Sequence, residues 1–158
     1  MSLQKFNLSD SVLIEDEKIK KVAIVRCERT QESCPGTSCI TSFSERKYTF
    51  KDYDESAKLV GFFSCGGCPG RRIFRLIRNL KEEIGVDVIH ISSCILKETP
   101  FPKCLHKKDI IKSIHNMGIE VVLGSDDKWE KEIELKKKEG KLEDYESIDE
   151  LLNGADHW

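Results

Sequence analysis

The sequence lacks several features that would assign it to a large class of proteins. No apolar run approaches the ~18–20 residues of a bilayer-spanning helix, and residues 1–5 (MSLQK) lack the charged-then-apolar layout of a secretory signal. Neither sign of charge predominates, because 26 basic and 28 acidic side chains leave a formal net charge of −2. We therefore expect a cytoplasmic protein whose main partner is neither a membrane nor a nucleic acid.

A disordered chain is also excluded, because 39% of the 158 residues are hydrophobic and 34% are charged. A chain of this length can bury a core without cross-links. Its seven cysteines are therefore the unusual feature. Their number is odd and no export signal is visible, so metal or redox chemistry is expected rather than a disulfide framework. The alternative is that some are small buried hydrophobes.

Four short apolar runs, rich in β-branched and aromatic residues, have the length of strands. Because the runs are apolar almost throughout, they suit a sheet covered on both faces, which is usually parallel. Helical patterns follow the second and third runs and end at Gly85 and Gly118. Ile40 and Phe43 could face the core from a short helix between the first two runs. The runs are residues 22–25, 59–63, 86–91 and 119–123.

This alternation predicts an α/β fold, a small three-layer domain with a mostly parallel sheet of at least four strands, crossover helices and a helical C-terminal tail. We assign residues 21–125 to this domain, 1–20 to an N-terminal arm and 126–158 to a charged helical extension. The arm has one apolar patch, Val12 to Ile14. The extension carries 12 acidic and 6 basic residues. Its apolar residues, which could dock two helices onto the core, are Trp129, Ile133, Ile148, Leu151 and Leu152.

Three cysteines stand after the first three predicted strands, namely Cys27, Cys65 and Cys94. In an open parallel sheet, the carboxyl ends of the strands form the rim where ligands bind. Cysteines that merely fill a core would lie within strands or on helix faces instead. The three sulfurs are therefore expected to meet at one rim.

The other cysteines lie in Pro- and Gly-containing loops beside these three. Cys65 and Cys68 have the C-x-x-C spacing with which two sulfurs chelate one tetrahedral zinc ion. Seven thiols and His106 make eight donors, enough for two such sites, although thiolates also hold iron–sulfur clusters. The sequence predicts a metal site, with zinc as the first choice. Its candidate ligands are Cys27, Cys34, Cys39, Cys65, Cys68, Cys94, Cys104 and His106.

The C-x-x-C pair also fits redox chemistry, because it lies between a strand and a helix whose dipole favours a thiolate. In that interpretation Cys65 is the nucleophile and Cys68 the resolving thiol. Either Cys94 or Cys39 would then relay electrons.

Cys65 and Arg71 have the C-x5-R spacing of loops that cradle an oxyanion, which predicts a small anion near Arg71. Pro69 removes one N–H donor from that cradle, and Arg72 stands where a hydroxyl residue is usual, which argues against a phosphatase. Basic residues flank the cysteine segments and would stabilise thiolates. They are Arg26, Arg29, Arg71, Arg72, Lys97, Lys103 and Lys107.

The remaining histidines carry less information. His90 lies inside an apolar run, which is typical of a hydrogen-bonded core histidine. His115 is expected to face solvent, and His157 to lie in a mobile terminus.

Several of these segments, in one order, resemble the CGGC-domain family, which is named for the tetrapeptide at residues 65–68. The resemblance covers roughly residues 21–125 and implies metal binding, with His90 in the shared pattern, but no particular reaction. The matching segments are 24–30 (IVRCERT), 34–37 (CPGT) with Cys39, 60–71, 90–94 (HISSC), Cys104 with His106, and 121–124.

Three functions remain open, and the sequence does not decide whether the protein is an enzyme. The first is a metal-binding protein whose metal is structural or activates water. The second is a thiol–disulfide or oxyanion-reducing oxidoreductase that uses Cys65 and Cys68. The third is a metal-stapled interaction module whose acidic tail recruits a partner.

Overall fold

The structure, a computed structural model, describes residues 19–97 and 104–140. Within those residues the chain alternates strands and helices, as the sequence predicts. The strands are β1 (Lys21–Arg26), β2 (Lys58–Ser64), β3 (Val88–Ile91) and β4 (Glu120–Leu123). The helices are α1 (Glu28–Gln31), α2 (Thr37–Ser44), a 3₁₀ turn (Tyr48–Phe50), α3 (Arg72–Asn79) with a π turn (Leu80–Ile84), α4 (Ser93–Leu96), α5 (Lys107–Asn116) and α6 (Asp127–Lys138).

The four strands form one parallel sheet in the order β2-β1-β3-β4. This confirms the predicted α/β fold and its parallel sheet. The strand that follows β1 in sequence, β2, lies toward one edge of the sheet, and the strand that follows β3, β4, lies toward the opposite edge. The carboxyl ends of β1 and β3 therefore flank the topological switch point, where open α/β sheets bind their ligands.

Both faces of the sheet are buried, which explains the nearly unbroken apolar strands. Alternate residues of β1 point to opposite faces, so that Ala23 and Val25 pack with α3 and α5, whereas Val22 and Ile24 pack with α2. The connection from β1 to β2 and the connection from β2 to β3 cross the sheet in opposite directions. Because such connections are right-handed, their helices lie on opposite faces of the sheet.

The helix boundaries follow the sequence signals at most positions. The segment after β2 ends at Gly85 in the left-handed conformation (φ 78°), as the predicted stop requires. Phe43 is buried as expected, but Ile40 is 43% exposed. The expectation that Ile40 faces the core was wrong, because α2 begins at Thr37 and its register turns Ile40 to solvent while it turns Cys39 and Phe43 inward.

His90 is a fully buried core histidine, as the apolar run predicts. Tyr53 Oη lies 2.6 Å from His90 Nε2, and the Gly124 carbonyl oxygen lies 2.9 Å from Nδ1. Burial lowers the pKa of His90 to about 4, so the ring is neutral at physiological pH. His115 is exposed, also as expected.

Helix α6 joins the C-terminal side of the domain to the core. The side chain of Asp126 caps it by accepting from the Lys128 N–H, and Trp129 is buried in the same cluster as β1 and β3, with Ile133 packed against it. The predicted docking of Trp129 and Ile133 is confirmed. Other expectations fall outside the described residues, namely the apolar patch Val12 to Ile14, the second helix with Ile148, Leu151 and Leu152, and His157.

No helix within residues 19–97 and 104–140 combines the length and the apolar character that crossing a bilayer requires.

Gly124→Ala should destabilise the domain more than Gly85→Ala. Both glycines have positive φ, but a Cβ at Gly124 would lie 2.6 Å from Trp129 Cδ1, whereas a Cβ at Gly85 would meet nothing within 4 Å. We expect a loss of about 1–2 kcal/mol in the free energy of unfolding at Gly85 and about 1–3 kcal/mol more at Gly124. Urea unfolding of the two variants measures this, and equal losses would show that α6 does not pack as described.

Candidate functional site

The thiols of Cys27 and Cys65 lie side by side because their strands are paired. Arg26 on β1 pairs with Ser64 on β2, so the next residue of each strand is a cysteine at the same edge. The two thiols hydrogen-bond to each other, and the Glu28 N–H donates to Cys65 Sγ over 3.4 Å. Neither forms a disulfide bond.

One proton of this pair is held much more weakly than the other. The hydrogen bond from Cys65 lowers the pKa of Cys27 to about 5, although burial acts to raise it. Hydrogen bonds from Thr30 and Arg29 also lower this pKa. The same contact, together with burial, raises the pKa of Cys65. The opposite directions of the two pKa shifts favour the thiolate on Cys27 and the proton on Cys65.

Cys94 approaches the pair from α4, the short helix that follows β3. The Cys27 N–H donates to Cys94 Sγ over 3.2 Å, and the Cys94 thiol donates to Ser92 Oγ over 3.2 Å. Burial raises the pKa of Cys94. The predicted convergence of the three cysteines that follow β1, β2 and β3 is thus confirmed.

Five of the cysteines and His106 line one cavity of about 440 Å³, which we call the thiol cavity. Cys104 is partly buried there; burial raises its pKa, and the nearby Cys68 and Cys27 add to that effect. Cys68 is exposed at the mouth. The residues that line the thiol cavity are Cys27, Glu28, Arg29, Glu32, Cys65, Gly67, Cys68, Cys94, Ile95, Cys104, Leu105, His106 and Ile110.

Cys34 and Cys39 lie elsewhere, beside a second cavity of about 240 Å³ that we call the arginine cavity. Cys39 Sγ is 3.0 Å from Ser125 Oγ, and burial raises its pKa. Cys94 lines both cavities, so it stands in the wall between them. The residues that line the arginine cavity are Arg26, Thr30, Ser33, Cys34, Cys39, Ser92, Ser93, Cys94, Lys97, Asp126 and Lys128. The eight donors singled out in the sequence are therefore divided between two cavities.

The thiol cavity contains side chains that are suitable metal ligands, but these side chains are not arranged as a preformed metal site. Five thiols and one imidazole form a soft donor set of the kind that zinc and iron–sulfur clusters take. Nevertheless, among residues 19–97 and 104–140 no three His, Cys, Asp or Glu side chains are grouped closely enough to hold a metal ion. The donor chemistry fits a metal, and binding would require side chains of the cavity to rotate inward.

The CGGC loop is anchored by an ionic cluster that the sequence analysis did not identify. Arg72 Nη2 lies 3.2 Å from Glu28 Oε2 and donates to the Ser64 carbonyl over 3.1 Å, and Ser64 Oγ hydrogen-bonds to both side chains. Arg71, which the C-x5-R spacing singles out, is exposed and lines neither cavity. No sequence spacing reveals the cluster, because it joins the starts of α1 and α3 across the end of β2.

Cys27 should be the thiol that alkylates fastest at mildly acidic pH. Its ionisation should have a midpoint near pH 5, whereas burial keeps Cys39 and Cys94 protonated. Iodoacetamide labelling followed by peptide mass spectrometry between pH 4 and pH 9 measures this profile.

The matched variant is Cys65→Ala, which removes the hydrogen bond that stabilises the thiolate and should move the Cys27 midpoint upward. A Cys27 midpoint near the ordinary value of about 8.5 in the unaltered protein would contradict the assigned pair.

Comparison with known proteins agrees with the sequence resemblance. The CGGC domain matches residues 21–126. The chain is 34% identical over 110 residues, which cover 66% of the chain and 85% of the relative, to the uncharacterized protein MJ0582 of Methanocaldococcus jannaschii. It is 38% identical over 67 residues to the uncharacterized protein MJ0766 of the same organism, with 42% of the chain and 97% of the relative covered. No solved structure matches it. The chain therefore belongs to the CGGC-domain family, and that membership suggests metal binding.

Proposed function

We propose that the protein binds a metal ion, zinc, in the thiol cavity. The observation that carries this proposal is the meeting of three strand-end cysteines at one edge of the sheet, where Cys68 and Cys104 join them. Thiolates are the ligands that zinc takes most readily from such a set. The ligands we infer are Cys27, Cys65, Cys68 and Cys104, with Cys94 and His106 as neighbouring donors. Cys34 and Cys39 line the other cavity and are assigned no role as ligands.

The charge state of the thiols supports this assignment. Only deprotonated thiols bind metal, and the lowered pKa of Cys27 favours its thiolate. The other ligands would release their protons on binding, and Arg29 lines the cavity and would offset part of the resulting negative charge. A reducing cytoplasmic compartment, which the odd number of cysteines favours, would keep all of them available.

A zinc ion bound by four thiolates would be structural and would cross-link the segments that carry them. A zinc ion with one position open to water would instead act as a Lewis acid. The chain's own contribution is positional. Strand pairing places Cys27 and Cys65 side by side, and the Glu28–Arg72–Ser64 cluster fixes the start of the CGGC loop.

Metal content of Cys65→Ser tests the proposal. The full chain, purified without chelator under reducing conditions, should carry about one equivalent of zinc by elemental analysis, and the variant should lose most of it because one ligand is gone. Iron with charge-transfer absorbance would identify a cluster instead of zinc.

Cys39→Ser is the control, since Cys39 lies in the arginine cavity and should leave the metal content unchanged. Equal zinc in Cys65→Ser and in the unaltered chain would remove the thiol cavity as the site.

A second function, thiol–disulfide exchange, is favoured by the contact between Cys27 and Cys65 rather than by the C-x-x-C pair. In this scheme the Cys27 thiolate attacks one sulfur of a substrate disulfide, and the other substrate sulfur leaves as a thiolate. Cys65, after losing its proton, attacks the Cys27 sulfur. A Cys27–Cys65 disulfide forms and the substrate leaves with both sulfurs reduced.

Reaction with oxidised glutathione distinguishes a Cys27–Cys65 disulfide from a Cys65–Cys68 disulfide. Metal-depleted protein treated with this disulfide should form an intramolecular Cys27–Cys65 bond, which peptide mapping without reductant detects. Cys68→Ser should leave that bond intact, Cys65→Ser should trap a mixed disulfide between glutathione and Cys27, and Cys27→Ser should fail to react. A Cys65–Cys68 bond would instead support the pairing predicted from the sequence.

A further inference from the structure

We propose that the arginine cavity binds a small oxyanion, with the Arg26 guanidinium as its buried positive charge. This site is separate from the thiol cavity and does not depend on the function proposed for it. It is also distinct from the anion site that the sequence predicts near Arg71.

Arg26 is the principal reason for this assignment. It is the last residue of β1 and is only 4% exposed. Its Nη2 donates to the Cys34 carbonyl over 2.5 Å, its Nη1 is 3.5 Å from Gln31 Oε1, and the guanidinium lies 4.8 Å from the centre of the Phe62 ring. Within the part of the chain that the structure describes, no carboxylate forms an ion pair with it. A buried charge without a counter-ion is costly, and an anion in the adjoining cavity would offset that cost.

The other charged groups of the cavity also favour an anion. Lys97 and Lys128 line it together with Arg26, and among the described residues Asp126 is the one carboxylate that lines it. That carboxylate is already engaged, since it accepts from Ser93 Oγ over 2.6 Å and from the Lys128 N–H over 3.1 Å, and Lys128 Nζ is 3.9 Å from it. The cavity therefore presents an excess of positive charge.

Hydroxyl groups form part of the cavity wall. Ser92 Oγ accepts from Ser125 Oγ over 3.1 Å and from Cys94 Sγ over 3.2 Å, and it lies 3.8 Å from Cys39 Sγ. The volume of about 240 Å³ accommodates a small anion with a few waters but not a nucleotide. The cavity also opens at the carboxyl ends of β1 and β3, the switch point at which ligands of open α/β sheets bind.

Calorimetric titration of the full chain tests the proposal with sulfate, inorganic phosphate and acetate as separate probes, at an ionic strength held constant with chloride. At least one probe should bind, and comparison of the three distinguishes an inorganic oxyanion from a carboxylate. Arg26→Gln should weaken binding by about tenfold or more, because it removes a charge-assisted donor in a buried site.

Since Arg26→Gln could disturb folding, the two lysines of the cavity provide an independent variant. Lys97→Gln combined with Lys128→Gln should weaken binding severalfold and reduce its dependence on chloride concentration. Arg71→Gln is the control, because Arg71 lines neither cavity and its loss should leave binding unchanged. Absence of binding by all three probes, binding that survives in both cavity variants, or loss of binding in Arg71→Gln would overturn the proposal.

Discussion

Parallel pairing of β1 with β2 on one side and with β3 on the other is the constraint on which both cavities depend. Arg26 pairs with Ser64, and Val25 pairs with Ile91, so that the residues after each pair leave the sheet at one edge. Cys27 thereby comes within hydrogen-bonding contact of Cys65 and of Cys94, both distant in sequence, without any cross-link. The mainly apolar interior of the sheet fixes this register, because a slip by one residue would move every side chain of a strand to the opposite face.

The two cavities share a wall but have opposite electrostatic character. The thiol cavity holds a thiolate that its neighbour stabilises, beside the carboxylates of Glu28 and Glu32. The arginine cavity holds a buried guanidinium and two lysines. Cys94 belongs to both, and burial keeps it a neutral thiol. A cation and an anion could therefore occupy adjacent sites, with one neutral sulfur between them.

Much of this arrangement could be predicted from the sequence. The apolar runs gave the four strands, and the position of a cysteine after each of the first three gave the convergence. The division of the donors could not be predicted, because it depends on the face of the sheet that each crossover covers: α2 carries Cys39 to one face and α3 follows the CGGC loop on the other. The Cys27–Cys65 contact could also have been predicted, once β1 and β2 are taken as neighbouring strands. The burial of Arg26 could not be predicted, because a basic residue at a strand end is usually solvated.

X-ray absorption at the zinc edge, measured on the purified chain, tests the central claim most directly. Thiolate ligation gives a shell of sulfur atoms at about 2.3 Å, whereas nitrogen and oxygen ligands lie at about 2.0–2.1 Å. A shell dominated by sulfur is the expected result. A shell of nitrogen and oxygen alone would contradict the claim that the cysteines of the thiol cavity form the metal site.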